Sequence, residues 1–375
     1  MTMTNLDLNN LGNLQKGLPP DWPGGFWWHL LVFTIIIIAF VMIMVLSFVW
    51  IERRGMARLQ LRLGPNRTGP FGLLQPVADA VKVLLKEDIV PAEGDKIVHW
   101  LAPVVAFAPV LLIFAVVPFQ NGGLLADLNV GVLYVVAISS ISTLGIFMAG
   151  WGSSNKYSLL AAMRVIAAVV SYEIPVVLAV AGVVLIAGSL SLNDIVIAQN
   201  IPFILLQPLG FLLLFIGGCA EINRSPFDLM EADSELVAGF HTEYSGMKFA
   251  LFYLTEYAEA VAMSAIIATL FLGGWKGPLL PPWLWLLIKI VAVFLTMVWT
   301  RTTLPRVRID QLMALAWKFL LPLALINLLI TAIQVLAWPD ALPAVIIVVN
   351  FAIMAVLVLL WSRFSKLGWG RITAE

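Results

Sequence analysis

Nine runs of roughly 20 predominantly apolar residues fill most of this sequence, and they limit its possible folds more than any other feature. An α-helix needs about 20 apolar residues to cross the hydrocarbon core of a bilayer, where backbone polar groups must find partners within the chain. The pattern predicts an all-α polytopic membrane protein with about nine transmembrane helices. The runs cover residues 26–51, 97–119, 131–151, 165–189, 201–220, 249–273, 283–300, 319–338 and 342–361.

The composition excludes several functional classes. Hydrophobic residues make up 61% of the chain and charged residues only 12%, whereas soluble domains are about 25% charged. The 22 basic and 22 acidic residues give zero net charge, which argues against a nucleic-acid-binding protein. Cys219 is the single cysteine, and His29, His99 and His241 are widely separated. We therefore predict no metal site and no iron–sulfur cluster in this chain.

The domain organisation is simple. Residues 1–25 are polar and lack the basic start and apolar core of a signal peptide. We predict a polar N-terminal extension over 1–25, a single transmembrane helical domain over 26–363 and a cytoplasmic tail over 364–375. The last two runs are separated only by a short break around Pro339 and Asp340, which predicts a tight helical hairpin.

Basic residues are distributed unevenly among the loops. Of the 22 lysines and arginines, 19 lie in loops or the tail on one side of the predicted membrane, and Lys16 and Lys276 lie on the other. Because cytoplasmic loops carry the excess of positive charge, we predict an outside N-terminus and a cytoplasmic C-terminus. The polar N-terminus lacks an Arg-rich transit pattern, which favours a bacterial inner membrane. The long polar loops place the function on the cytoplasmic face.

One segment on that face, residues 70–88, has the pattern of an amphipathic helix. Gln75, Asp79, Lys82 and Lys86 recur at helical spacing, and apolar residues fill the other faces. The pattern predicts a cytoplasmic-side helix lying on the membrane surface. A simple interface anchor is one interpretation, but Asp79 and the Gly/Pro-rich approach to the helix favour a further role.

Four carboxylates lie within or at the ends of predicted spans, where an ionisable group costs about 2.5–3.5 kcal/mol on insertion scales. Glu173 lies in the fourth run, Glu221 ends the fifth, and Glu256 and Glu259 lie at i and i+3 in the sixth. Two carboxylates on one helical face tend to share a proton, which favours a proton relay over local structural hydrogen bonds. Lys289, in the seventh run, is interpreted as a counter-ion or an interfacial lysine.

The inner loop after the fifth run is strongly acidic, with Arg224 as its only base before Lys248. Its carboxylates are Glu221, Asp228, Glu231, Asp233, Glu235 and Glu243. Apolar residues alternate with these acids, so we expect the loop to pack against the protein, and a packed acidic cluster is a candidate functional site. The loop after the seventh run brings Arg301, Arg306 and Arg308 to the same face, where they can neutralise the acids or bind a partner.

Four stretches of this chain resemble the H-type membrane subunit (subunit 1) of respiratory complex I, the proton-pumping NADH:quinone oxidoreductase. The match spans residues 52–313 in the order found in that family. The stretches are ERRGMARLQLRLGPNRTGPFGLLQPVADAVKVLLKED, WGSSNKYSLLAAMR with SYEIP, EINRSPFDLMEADSELVAGFHTEYSGMKFALFYLTEYA, and TRTTLPRVRIDQLM.

The resemblance implies a non-redox membrane subunit, with no catalytic side chain, metal or cofactor of its own, at the junction of the membrane and peripheral arms. Quinone would be the substrate. FMN and iron–sulfur clusters would lie on partner subunits, and small membrane subunits and antiporter-like subunits would be neighbours. Positions that line the quinone cavity in the family match Glu52, Arg53, Asp79, Arg301 and Arg306. Positions of the acidic proton path match Glu173, Glu221, Glu231, Asp233, Glu235 and Glu256.

The chain also departs from the family pattern. Glu259 is an added carboxylate where the family tends to have a neutral residue, and we include it in the predicted proton path. Eight spans are the shared core of the family, so the ninth is interpreted as an additional brace. Two alternatives stay open at this point: the homologous membrane subunit of a membrane-bound hydrogenase or a non-NADH quinone oxidoreductase, and a stand-alone secondary transporter.

Overall fold

A computed structural model describes residues 25–121, 126–228, 239–337 and 343–364 of the chain. Its regular structure is helical, and no β-strand occurs within those ranges. The α-helices, in chain order, are α1 (Gly25–Leu59), α2 (Gln75–Leu84), α3 (Lys96–Ile113), α4 (Gly131–Gly152), α5 (Lys156–Ala187), α6 (Leu192–Ala198), α7 (Phe203–Leu206), α8 (Pro208–Glu221), α9 (Gly246–Phe271), α10 (Pro282–Thr303), α11 (Ile309–Ala314), α12 (Leu321–Ala337) and α13 (Pro343–Phe364). A π-helical turn, Leu315–Leu320, joins α11 to α12.

The helices confirm the predicted all-α membrane architecture. Within the described ranges, seven helices are long and apolar enough to cross a membrane, counting α11 and α12 as one. Two further apolar helices, α8 and the described part of α13, are shorter. Each of the nine apolar runs therefore contains a helix, and the main differences are at the ends. The first helix continues past the predicted end at 51 to Leu59, and this extension carries Glu52 and Arg53.

The fifth predicted span, residues 201–220, is not one continuous helix. It consists of the short α7 and the 14-residue α8, with a break at Gln207, whose φ and ψ are −136° and 63°. Proline disfavours the helical conformation at the preceding residue, and Pro208 follows directly. The break is buried against protein, where Gln207 Nε2 donates to Thr331 Oγ1 (2.8 Å) and Asn350 Nδ2 donates to the Leu206 carbonyl (2.5 Å). Irregular backbone at membrane depth needs such partners.

The most buried of the seven long apolar helices is α9, which packs against α1, α3 and α10. Its middle is rich in alanine, including Ala258, Ala260, Ala265 and Ala268, all fully buried. Small side chains let helix backbones approach closely in membrane proteins. The carboxylates in the first half of this helix are therefore held in the centre of the bundle.

The segment predicted as a surface helix forms α2, which contacts the bundle through Asp79 of its polar stripe, while the two lysines of that stripe are exposed. Asp79 is ion-paired to Arg53 of α1, whereas Val77, Val81 and Leu84 on the apolar side are 44–59% exposed. An exposed apolar face on a short amphipathic helix suits the membrane interface. The helix is thus attached to the bundle through Asp79, and its exposed apolar residues suit contact with lipid.

The turn before α2 depends on Gly72. This residue has φ +75°, and a Cβ there would lie 2.2 Å from the Pro65 carbonyl oxygen. Only glycine fits both the backbone conformation and the space. The turn is also tied to α1, because Arg54 Nη1 and Trp50 Nε1 donate to the Phe71 carbonyl at 2.7 and 3.2 Å.

Candidate functional site

Four charged side chains from four parts of the chain meet between α1, α9 and α10. Glu52 of α1 is fully buried and accepts from both Arg224 and Arg301, one arginine on each carboxylate oxygen. Arg224 Nε lies 3.3 Å from Glu256 Oε1 as an ion pair without hydrogen-bond alignment. Two acids and two bases therefore form one cluster, which we call the Glu52 cluster, with no formal excess charge.

Aromatic rings enclose the Glu52 cluster. The Arg224 guanidinium carbon lies 4.3 Å from the centre of the Tyr257 ring and 5.7 Å from that of Phe294, distances at which cation–π attraction operates. Phe294 stacks on Phe48, with ring centres 3.8 Å apart. These rings exclude water from one side of the ion pairs. The charges consequently interact more strongly with one another than they would at a surface.

Arg224 is the central cation of this site, and its side chain is only 3% exposed. Burial alone lowers the pKa of the guanidinium, but the carboxylates of Glu52 and Glu256 outweigh burial, so the pKa lies above its ordinary value. Arg224 is therefore a fixed positive charge. A buried ion pair of this kind contributes little net stability, but the loss of one partner is costly.

A second charged pair connects α1 to the surface helix. Arg53 contacts Asp79, and Gln75 Nε2 donates to the other Asp79 oxygen at 3.0 Å. Thr68 Oγ1 donates to Gln75 Oε1 at 2.6 Å, which extends the chain of bonds into the preceding loop. Arg53 and Asp79 are 35% and 32% exposed, so this pair is open to the medium, in contrast to the neighbouring Glu52.

Arg306 takes part in a third contact. Its guanidinium contacts Asp228, with Nη2 3.5 Å from Oδ1 and also bonded to the Asp228 carbonyl oxygen. The contact joins the start of the acidic loop to the loop after α10. The predicted quinone-cavity residues therefore occupy three places: Glu52 with Arg301, Arg53 with Asp79, and Arg306 with Asp228.

Three of the predicted proton-path residues line a single cavity. Glu173 of α5, Glu221 of α8 and Glu259 of α9 face a space of about 70 Å³ between α3, α4, α5, α8 and α9. A water molecule needs roughly 10–15 Å³ of such space, so the cavity has room for several. No lysine or arginine is among the described residues that line it. We call this space the carboxylate cavity.

The rest of the carboxylate cavity is apolar. Along α9 its wall continues from Glu259 to Leu270, a distance of about 16 Å at 1.5 Å per residue. Val132 and Val180 line the same end as Leu270. The polar groups are thus gathered toward the end of the cavity that is nearer the Glu52 cluster.

Helix α9 links the two sites. Glu256 faces Arg224, and Glu259, one turn further on, faces the carboxylate cavity beside Ser142 and close enough to Glu221 and Glu256 to interact with both. The i, i+3 spacing therefore gives the two carboxylates different environments: an arginine for Glu256, and a cavity whose described lining is without basic residues for Glu259. Because Glu256 and Glu259 are one helical turn apart, a change of charge at one site changes the electrostatic potential at the other.

The acidic loop is only partly described. Glu231, Asp233 and Glu235, which are predicted members of the proton path, lie outside the described residues. Of the apolar loop residues expected to pack, Phe227 and Phe240 are described, and both are buried. Within the described part of the chain, no group of three or more histidine, cysteine, aspartate or glutamate residues is arranged to hold a metal ion.

Sequence reasoning assigned no role to Arg224, the residue at the centre of the Glu52 cluster. The available signal was that it is the only base in an otherwise acidic loop. Lys289 has a local role, because its Nζ donates to the carbonyls of Gly274 (2.8 Å) and Lys276 (2.7 Å) in the turn after α9. It therefore stabilises that turn and takes no part in the ion pairs of the Glu52 cluster.

Comparisons with known proteins place the chain in a family. Residues 32–332 match the family model described as NADH dehydrogenase. The H-type subunit of NADH-quinone oxidoreductase from Dehalococcoides mccartyi is 62% identical over 350 residues, which cover 93% of this chain and 99% of the relative. The corresponding subunit of Syntrophobacter fumaroxidans is 52% identical, and the match covers 84% of this chain and 98% of the relative. That of Geobacillus kaustophilus is 50% identical, and the match covers 81% of this chain and 91% of the relative. The chain therefore belongs to the NADH dehydrogenase family, as a multi-pass membrane protein that corresponds to the H-type subunit of respiratory complex I.

Proposed function

We propose that this chain forms part of the quinone-binding cavity of a proton-translocating NADH:quinone oxidoreductase and the first carboxylate path that couples quinone reduction to proton pumping. The observation that supports this most directly is the connection through α9. Glu256 belongs to a buried charge cluster, and Glu259, one turn away, belongs to a cavity lined by three acids and by no described arginine or lysine. A change of charge at the first site thereby acts on protonation at the second.

The quinone cavity is proposed at the polar ends of α1 and α10 and along α2, among Glu52, Arg53, Asp79, Arg301 and Arg306. The exposed apolar side of α2 would lie in the lipid interface, where a hydrophobic quinone is dissolved. The open pair of Arg53 and Asp79 joins α2 to α1 at the residue next to the buried Glu52. A quinone headgroup that enters from the lipid would thus reach the partly exposed pair first and the buried Glu52 afterwards.

Reduction of a quinone to a quinol takes up two electrons and two protons. We propose that the electrons come from a terminal iron–sulfur cluster on a peripheral-arm partner, and that this chain supplies only binding groups and proton-path carboxylates. The Glu52 cluster has no net formal charge when its members are ionised. Formation of a charged quinone intermediate or loss of a proton nearby would disturb this charge balance. The carboxylates that change protonation most readily in response are those without an arginine partner.

The proposed proton path comprises Glu173, Glu221, Glu231, Asp233, Glu235, Glu256 and Glu259. It begins at the acidic loop and the Glu52 cluster and continues through the carboxylate cavity toward antiporter-like partner subunits. We place the polar loops in the cytoplasm and the N-terminus outside a bacterial inner membrane, on the distribution of basic residues. FMN and iron–sulfur clusters belong to partner subunits in this scheme.

The test uses the intact complex, purified in mild detergent and reconstituted into vesicles. NADH:quinone turnover and proton uptake into the vesicles are measured for wild type and for Glu256→Gln. We expect the variant to lose most proton translocation, at least about tenfold, because it removes the charge through which the Glu52 cluster acts on Glu259. Asp194→Asn is the matched control, because Asp194 lies in the first turn of α6 and its hydrogen bonds among the described residues are to the nearby Ser189 and Ser191.

Unchanged turnover and unchanged proton uptake in Glu256→Gln would refute the proposed path. The proteins that co-purify decide between the remaining classes. Antiporter-like subunits with a flavin- and cluster-bearing arm active with NADH support the proposal. A nickel–iron large subunit would assign the chain to a hydrogenase complex, and a chain that is stable alone would indicate a transporter.

A further inference from the structure

Helix α4 contributes a group of hydroxyls to the carboxylate cavity. Ser139, Ser140, Ser142 and Thr143 all line the cavity within five consecutive positions. The three serines also donate to carbonyls of their own helix: Ser139 and Ser140 to Val136, each at 3.0 Å, and Ser142 to the carbonyl of Ser139 at 2.9 Å. Such bonds to the preceding turn are common for serines in helices.

Each of these serines also lies beside a different carboxylate. Ser140 is hydrogen-bonded to Glu173. Ser139 lies beside Glu221, and Ser142 lies beside Glu259. The three acids come from three helices, α5, α8 and α9, and all of them line the carboxylate cavity together with the serines of α4.

The geometry leaves Ser140 with more acceptors than hydrogens. A serine hydroxyl has one hydrogen to donate and two lone pairs with which to accept. Ser140 Oγ is within reach of the Val136 carbonyl and of the Glu173 carboxyl. It cannot donate to both at once, so its hydrogen must point to one of them.

The choice depends on the charge of the acid. An ionised carboxylate only accepts hydrogen bonds, so the hydroxyl turns toward Glu173. A protonated carboxyl has a hydrogen of its own to donate, so the hydroxyl turns to the Val136 carbonyl and accepts from Glu173. Both states keep a full set of hydrogen bonds, whereas an arginine or lysine at this position would favour the ionised state alone.

We propose that Ser139, Ser140 and Ser142 are positioning residues that allow the three cavity carboxylates to change protonation state by rotation of a hydroxyl. This inference rests on the proposed function of the cavity as a proton path. The serines gain and lose no proton. A proton released by one acid is taken up by another carboxylate of the same cavity, and the two hydroxyls involved rotate in opposite senses.

A purely structural role for the serines is the competing explanation. Ser264 is an example of a serine whose hydroxyl has such a role. Ser264 of α9 is fully buried and donates to the carbonyl of Ala260 at 2.7 Å, with Met297 sulfur at 3.9 Å as its other neighbour. It has no carboxylate beside it among these contacts. Ser264→Ala is therefore the matched control for loss of a back-bonded hydroxyl.

The experiment measures infrared difference spectra of the intact complex between its oxidised and reduced states, together with proton translocation. The carboxyl stretching band that Glu173→Gln removes is the band of Glu173. Ser140→Ala should shift this band and lower the rate of proton translocation about tenfold, the effect on a rate of one lost hydrogen bond to a charged group. Ser140→Thr keeps the hydroxyl and should restore both, and Ser264→Ala should change neither. Ser142→Ala should act likewise on the band of Glu259.

The two proposals fail in different ways. If Ser140→Ala and Ser142→Ala leave the carboxyl bands and translocation unchanged, while Glu173→Gln and Glu259→Gln abolish translocation, the serine inference is wrong and the proton path stands. If Glu173→Gln and Glu259→Gln translocate protons normally, the proton path is wrong, and the serine inference fails with it. A band shift that threonine does not reverse also overturns the role of the hydroxyl.

Discussion

The two acidic sites of this protein stand one helical turn apart and are built in opposite ways. In the Glu52 cluster, two acids are matched by Arg224 and Arg301 and enclosed by aromatic rings. In the carboxylate cavity, three acids share a space lined by serines, and the described lining residues include no arginine or lysine. The first arrangement fixes charge, whereas the second permits it to change.

The difference follows from what each type of partner can do. A guanidinium is always protonated and favours only the ionised state of a neighbouring carboxylate. A hydroxyl both donates and accepts, so it can satisfy either state. The proposed coupling would use both kinds of site: a rigid set of charges beside the quinone, and a set of acids that can pick up and release protons.

The largest expected effect is on stability, from Arg224→Leu. The substitution leaves Glu52 and Glu256 with Arg301 as the only cation of the cluster. Loss of one partner of a buried ion pair costs about 3–5 kcal/mol, so we expect little assembled complex and a much lower midpoint of thermal unfolding in detergent. Arg54→Leu is the matched control, because Arg54 packs on the rings of Trp50 and Phe71 outside the cluster. Equal loss of assembly in both variants would contradict a special cost at Arg224.

A smaller and more selective effect separates the two kinds of acid. Glu52→Gln leaves Glu256 as the only carboxylate of the cluster, while the glutamine amide oxygen can still accept a hydrogen bond from one arginine. We expect a cost of about 1–3 kcal/mol, that of a buried hydrogen-bonding group left without its full set of partners. Glu259→Gln replaces an acid that already has to exist in a neutral form, so stability should change by less than about 1 kcal/mol. Thermal unfolding of the two purified complexes makes the comparison. If Glu259→Gln is as destabilising as Glu52→Gln, the cavity acid is a structural ion and the contrast is wrong.

The smallest expected effect is at the open pair of Arg53 and Asp79. Both side chains are about one-third exposed, so solvent screens their attraction and the pair is worth about 0.2–1 kcal/mol. We expect Asp79→Asn to assemble normally and to raise the apparent KM for quinone with little change in kcat, since the pair is proposed to border the entrance. Steady-state kinetics at two salt concentrations test this, and an effect on unfolding larger than that of Glu52→Gln would reverse the ranking.

Much of the architecture could be predicted from the pattern of residues because the membrane leaves few choices. A run of about 20 apolar residues has to be a helix in lipid, and the polar stripe of Gln75 and Asp79 identifies α2 as amphipathic. The break at Gln207 was missed even though Pro208 signals it, because the surrounding run is apolar throughout. Propensity does not show whether other helices will supply partners for a broken backbone, and here Thr331 and Asn350 do so.

The sequence by itself determined that the chain is a helical membrane protein. It also determined that several carboxylates lie in apolar spans, where the free-energy cost of an ionisable group implies a compensating role. Only the tertiary structure decided which of them are neutralised. Glu256 and Glu259 look alike along the chain, but Arg224, from a loop 32 positions earlier than Glu256, reaches one and not the other. The charge state of a buried acid depends on groups within a few ångströms. Those neighbours come from distant segments, which only the packing of α1, α4, α5, α8 and α9 brings together.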